Sequence, residues 1–213
     1  MEIYNREKEL RLGINKFLSS ITKVDKNYIE SFTQEQLLQL KSAVSDINNV
    51  LTLKITLAFA DWIKEFISLT NEEYEKLIKN INSTKPNTNG FDIWIKNKKI
   101  IVEIKAIIPI NEGDYYAAAQ KDSILMDAVK LINGKKELKD TSNYYKFIGL
   151  IDIGDKTDKA IEKIMTKSER MISEDPKRIK MYDVIDKLKL VDNKIKLDDL
   201  RKDSVYIKKI RLN

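Results

Sequence analysis

From the first residue to about residue 85, apolar side chains recur at helical spacing and breakers are few. Thr33-x-x-Gln36 has the form of a capping box, a hydroxyl and an amide that can each satisfy the other residue's backbone N–H. Leu37, Leu38, Leu40, Ala43, Val44 and Ile47 follow it on one helical period, and Asn48-Asn49 is a point where that helix can break. Val50 to Leu69 is apolar almost all round (Leu51, Ile55, Phe59, Trp62, Ile63 and Phe66 among others), which predicts a buried central helix. Thr70-x-x-Glu73 caps a further helix to about Ile81, and Asn82 to Asn89, NSTKPNTN, is a loop.

The period then changes. Phe91 to Lys96 and Lys99 to Ile108 are rich in β-branched and aromatic residues and read as two strands joined at Asn97-Lys98. Asn111 to Gly113 is a turn, and Asp114 to Asn133 is a helix that stops at Gly134. Tyr144 to Ile153, YYKFIGLIDI, reads as a buried strand beside the hairpin. A helix from Thr157 toward Ile172 is broken by Ser173 to Pro176, and Lys194 to Leu197 and Val205 to Leu212 are strand-like. The order predicts an α/β chain with a mixed sheet flanked by helices on both sides, the amino-terminal helices covering one face. No repeat or linker divides it, so one domain over residues 1–213 is expected, with a helical part (1–85), a core (86–153) and a carboxy-terminal helix with strands (154–213).

A tight turn at Asn97-Lys98, with Asn97 at positive φ, sets Lys96 opposite Lys99 and, counting back along both strands, Asp92 opposite Glu103. Their Cβ atoms are then roughly 5 Å apart on one side of the hairpin. Lys105 shares that side by the period of two, as do Trp94, Ile101 and Ile107. The other side, Phe91, Ile93, Ile95, Ile100, Val102, Ile104, Ala106 and Ile108, is unbroken core. Facing carboxylates repel, and a divalent cation between them turns the repulsion into attraction. Mg²⁺ takes one or two carboxylates and leaves room for water and phosphate oxygens, so the hairpin is a candidate site for phosphodiester hydrolysis.

Composition narrows the chemistry. The 213 residues contain no cysteine and no histidine, which excludes disulfide frameworks, zinc–thiolate sites, thiol nucleophiles, histidine triads and nucleases with a histidine base. Hydrolysis has to run on carboxylates, lysines, tyrosines and a hard cation with oxygen ligands. Lys and Arg number 39 against 33 acids, and the net charge of +6 favours a polyanionic partner. The opening MEIYNREKELRLG is charged and lacks the apolar core of a signal peptide, so a cytoplasmic location is expected, and no stretch is long and apolar enough to span a membrane.

Asp92, Glu103 and Lys105 resemble the motif of the PD-(D/E)xK nucleases, whose best-known members are type II restriction endonucleases. Glu-x-Lys is intact and is followed by Ala-Ile-Ile-Pro. The proline that usually precedes the aspartate is replaced by Phe91, with Pro86 further upstream. The resemblance implies a restriction-endonuclease-like fold and a Mg²⁺-dependent cut (Mn²⁺ can substitute) in double-stranded DNA that leaves a 5′-phosphate. Asp92, Glu103 and the carbonyl of Ile104 would hold the metal, with Glu65, from the helix ahead of the hairpin, as an extra acid. Lys105 would orient or deprotonate the attacking water. Gln120 and Lys121, on the helix after Glu-x-Lys, would reach the metal or the scissile phosphate, with Lys121 counted among the DNA contacts. Arg178 and Lys180 open a tail dense in bases that could face DNA. One active site per chain cuts one strand, so cutting a duplex implies a homodimer. Two alternatives stay open at this stage: a non-catalytic or degenerate DNA-binding module of the same fold, and a structure-specific nuclease such as a junction resolvase.

Overall fold

A computed structural model describes residues 5–85, 90–110, 115–167, 175–191 and 195–212. The chain divides into two compact units, Met1–Ile47 and Asn48–Asn213. The first holds α1 (Arg6–Thr22), α2 (Tyr28–Ser31) and the start of α3 (Gln34–Phe66). Among its described residues only Tyr28 is buried, and polar contacts tie the two short helices together. Asn15 accepts the N–H of Tyr28 at 2.9 Å, and Arg11 pairs with Glu30 at 2.7 Å. The Thr33/Gln36 box forms as read, with Gln36 Oε1 accepting from Thr33 N–H at 2.9 Å and Thr33 Oγ1 accepting from Gln36 N–H at 3.2 Å.

The second unit is built on a sheet of five strands in the order β1-β2-β3-β5-β4. These are β1 (Ile93–Ile95), β2 (Ile100–Lys105), β3 (Tyr145–Ile151), β4 (Leu188–Leu190) and β5 (Val205–Ile210). β1 runs antiparallel to β2, and the other pairs are parallel. On one face the later turns of α3 and α4 (Asn71–Ser83) bring Ile55, Phe59, Ile63, Leu77 and Ile81 onto Ile93, Val102, Ile104, Phe147 and Tyr206. On the other, α5 (Ala118–Asn133), α6 (Asp155–Met165) and α7 (Pro176–Ile185) cover Ile101, Ile148, Leu150, Val205 and Ile207. The chain is therefore α/β, a mixed sheet with helices on both faces. Gly149 in β3 fixes how close α3 can come: a Cβ there would lie 2.5 Å from Ile104 Cδ1 and 2.9 Å from the Phe59 ring.

The details correct several expectations. α3 runs unbroken through Asn48-Asn49, with helical residues continuing on both sides. Its apolar girth is not all buried: Ile55, Phe59 and Ile63, four residues apart, face the sheet, whereas Val50 and Leu53 are 54% and 40% exposed. The hairpin register is the one read from the alternation, Ile93 opposite Val102 and Ile95 opposite Ile100. Its turn, however, spans Lys96 to Lys99, closed by Lys99 N–H donating to the Lys96 carbonyl at 3.2 Å. The residue with positive φ is Lys99 (54°), not Asn97. The strands are shorter than expected, so Phe91, before β1, turns to the face opposite Ile93, and Ile108, beyond β2, is exposed.

α5 begins at Ala118; Asp114, its expected start, lies outside the described residues, as does Ile172, the expected end of α6. Pro176 opens α7 at its first turn, where its missing N–H costs nothing, behind an Asp175 cap that accepts from Lys177 N–H at 2.9 Å. The strand expected at Lys194 to Leu197 is absent from its described part: Leu197–Asp199 is a 3-10 turn, and the edge strand is Leu188–Leu190 instead. No helix among the described residues is long and apolar enough to cross a membrane.

Candidate active site

The carboxy-terminal half of β2 carries Glu103 and Lys105 to one wall of a cleft of about 620 Å³. Asp92, in the bend just before β1, lines it as well. The hairpin register brings the aspartate to the end of β2, where its Oδ2 accepts the Ile104 N–H at 2.6 Å. Asp92, Glu103 and Lys105 are thus gathered in one cleft by the local fold, as the alternation predicts.

Two further elements complete the cleft. α5 contributes Asp127, which is 3% exposed and bridges two lysines: Lys105 Nζ lies 2.6 Å from its Oδ2 and Lys130 Nζ 2.7 Å from its Oδ1. The turn after α5 contributes Lys135, whose ammonium pairs with Glu103 Oε1 and donates to the Gly90 carbonyl at 2.6 Å. That turn depends on Gly134 at φ 85°, where a Cβ would lie 2.4 Å from the Leu138 carbonyl oxygen. Only a glycine ends α5 so abruptly and sends the next side chain back over the sheet.

The electrostatics follow from burial and crowding. Glu103 is 6% exposed, and its pKa is pushed up to about 7, first by loss of water and then by the Asp92 charge, against the pull of Lys135. Burial also raises the Asp92 carboxyl above its ordinary range, opposed by the Ile104 N–H and by Lys135. The acids therefore sit together at a cost that positive charge relieves.

This donor set fits a hard divalent cation that keeps several waters. Asp92 and Glu103 converge on the cleft, and Mg²⁺ needs no more than one or two carboxylates. Among the described residues no group of three or more acids is placed to hold a metal alone, since Asp127 is turned onto its lysines. Of Ile104, expected to offer its carbonyl, the contact seen is the N–H to Asp92.

The other expected site residues lie elsewhere. Glu65 is exposed and outside the cleft lining. α3 lines the cleft with Asn49, Thr52 and Thr56, and Glu65 is ~13 Å further along the helix axis at 1.5 Å per residue. Gln120 is held at the start of its own helix, where Oε1 accepts the Ala117 N–H at 3.0 Å. It caps α5 because Ala117 has no side-chain oxygen to do so. Lys121 points toward α6 and donates to the Lys163 carbonyl at 3.4 Å. Arg178 and Lys180 are exposed on α7, away from the cleft lining. Two other bases of the tail are paired with acids, Lys209 with Asp158 and Arg201 with Asp203.

Asp127, Lys130 and Lys135 are the site residues that sequence reasoning missed. Asp127 left a signal: it falls on the apolar side of α5, between Ile124 and Leu131 and beside Ala128, where an acid is out of place unless it has a partner. Lys135 left none, because its role comes from a turn that folds it onto a distant strand. Compared with protein-family models, with curated proteins and with solved structures, the chain matches none.

Proposed function

We propose that this chain is a Mg²⁺-dependent DNA endonuclease with a restriction-endonuclease-like core, cutting phosphodiester bonds at a specific duplex sequence as type II restriction enzymes do. What supports the reading is one observation: two carboxylates and a lysine of the Asp…Glu-x-Lys pattern line one cleft, where the Asp92 charge helps to raise the Glu103 pKa and a cation would relieve the crowding. Asp92 and Glu103 would hold Mg²⁺, with Mn²⁺ as a substitute. When bound, the metal supplies Lewis acidity to the phosphate and lowers the pKa of water. Lys105, held by Asp127 at 2.6 Å, would orient a water or meet phosphate charge. The reading also carries a two-fold homodimer, one site per strand, acting on cytoplasmic DNA.

A second reading has an observation of its own. Among the described residues two of the three acids lining the cleft are already matched to lysines, Glu103 to Lys135 and Asp127 to Lys105 and Lys130, which equally suits a degenerate nuclease that binds DNA without cutting it. Incubation of a mixed-sequence plasmid with the protein and Mg²⁺, followed by sequencing of the ends, separates the two. Discrete fragments with 5′-phosphates, lost in Asp92→Ala while gel-shift binding persists, support the restriction reading. Branch-dependent nicks would point to a junction nuclease, and intact DNA with a retained shift would leave the binding module.

A further inference from the structure

We infer that Lys135 is a built-in counter-ion for the acid pair, and that a divalent cation entering the cleft must displace its ammonium from Glu103. The inference rests on the metal-dependent reading above and extends it to how the site is loaded.

Among the described residues three lysines reach the acids of this cleft, and they differ in what they touch. Lys130 and Lys105 both bind Asp127, and the Lys130 side chain is 48% exposed. Among the described residues Lys135 alone is paired with Glu103, and its side chain is 14% exposed. Its ammonium also takes the Gly90 carbonyl at 2.6 Å and lies 4.9 Å from the centre of the Phe91 ring. A carboxylate oxygen, a carbonyl oxygen and an aromatic face make a cation cradle, and the two oxygens are the donors a hard metal ion prefers. Asp92 adds its field from the same side, since Lys135 is one of the charges that ease its burial. The ammonium thus occupies the point of the cleft where oxygens converge, and a metal held by Glu103 cannot share that point with a second full positive charge. Lysine suits the exchange, being a compact charge on a flexible stem with no fork geometry to break. Once displaced, Lys135 remains at the cleft wall, where a phosphate oxygen can take it up.

The consequence is a metal affinity set lower than the carboxylates alone would give, with the metal-free fold protected from two unneutralised buried acids. The test is Mn²⁺ binding at neutral pH, followed by electron paramagnetic resonance, for the wild type, Lys135→Met and Lys130→Met. Lys135→Met is expected to bind Mn²⁺ about tenfold tighter or more, because no buried ion pair has to open first. Lys130→Met removes the same charge from the same cleft without touching Glu103 and is expected to change affinity by less than about threefold, as a partly screened charge does. Without metal, Lys135→Met should melt below the wild type and recover more on adding Mn²⁺. A second measurement needs no variant: the Lys135 ε-methylene resonance of ¹³C-labelled wild-type protein should move toward solvent-exposed lysine values as Mg²⁺ is added. Equal or weaker Mn²⁺ binding in Lys135→Met, or a Lys135 resonance indifferent to Mg²⁺ at saturation, would overturn the inference and leave the nuclease reading standing. Absence of Mn²⁺ binding in every variant would overturn both.

Discussion

Glu103→Gln should change how stability depends on pH, and in a direction opposite to the usual salt-bridged acid. In the folded chain the Glu103 carboxyl titrates near 7, against 4.5 when free. Between those values the folded state holds a proton that the unfolded state has released, so stability falls as pH rises through the window. The displacement corresponds to about 3 kcal/mol, fully lost above pH 7 and fully retained below 4.5. Glutamine has the same shape, can still accept from Lys135 and does not titrate. Urea unfolding at closely spaced pH values should therefore show the wild type losing about 3 kcal/mol relative to Glu103→Gln from acid to slightly alkaline pH. Asp92 is present in both proteins and cancels to first order. Saturating Mg²⁺ should flatten the wild-type curve by stabilising the charged form. Parallel curves for the two proteins would refute the claim that burial and Asp92 crowd Glu103.

Three further outcomes follow from the packing. On the proposed nuclease function, Asp127→Asn removes the charge that holds Lys105 at 2.6 Å and should lower the Mg²⁺-dependent cleavage rate by about tenfold or more with little change in the metal concentration required. Gly149→Ala drives a methyl into Ile104 and Phe59, and should cost about 1–3 kcal/mol in denaturant unfolding. Lys146 is 1% exposed, and burial lowers its pKa to about 8 although its ammonium donates to two backbone carbonyls, one of them Tyr144 at 2.8 Å. Between pH 8 and 10.5 the unfolded chain holds the extra proton, so wild-type stability should rise with pH across that window, and the rise should be missing in Lys146→Met.

The hairpin was legible in the sequence because it is local. A period of two and a short reversal fix which side chains face each other, and the pairing of Ile93 with Val102 and of Ile95 with Ile100 follows from counting. The capping boxes at Thr33 and Thr70 and the stop at Gly134 are equally local, and they are where the residues say. Legibility ends where tertiary packing chooses among equivalent local options. Phe91 changes face because β1 starts at Ile93, and no pattern marks that start. Leu188–Leu190 becomes a strand because β5 is beside it, although its alternation with lysine is no stronger than that of its neighbours. Gln120 sits where a family-like reading expects a site residue, but the nearest unsatisfied N–H, that of Ala117, takes it first. Lys135 and Asp127 reach the cleft only through the packing of α5 on the sheet.

The central claim is that Asp92 and Glu103 grip one hard cation between them. Crystals soaked in Mn²⁺ and measured at the manganese edge test it directly. The account predicts a single anomalous peak about 2.0–2.3 Å from a carboxylate oxygen of each residue, with Lys135 moved off Glu103. A peak elsewhere, or none with the Glu103–Lys135 pair intact at saturating Mn²⁺, would contradict it.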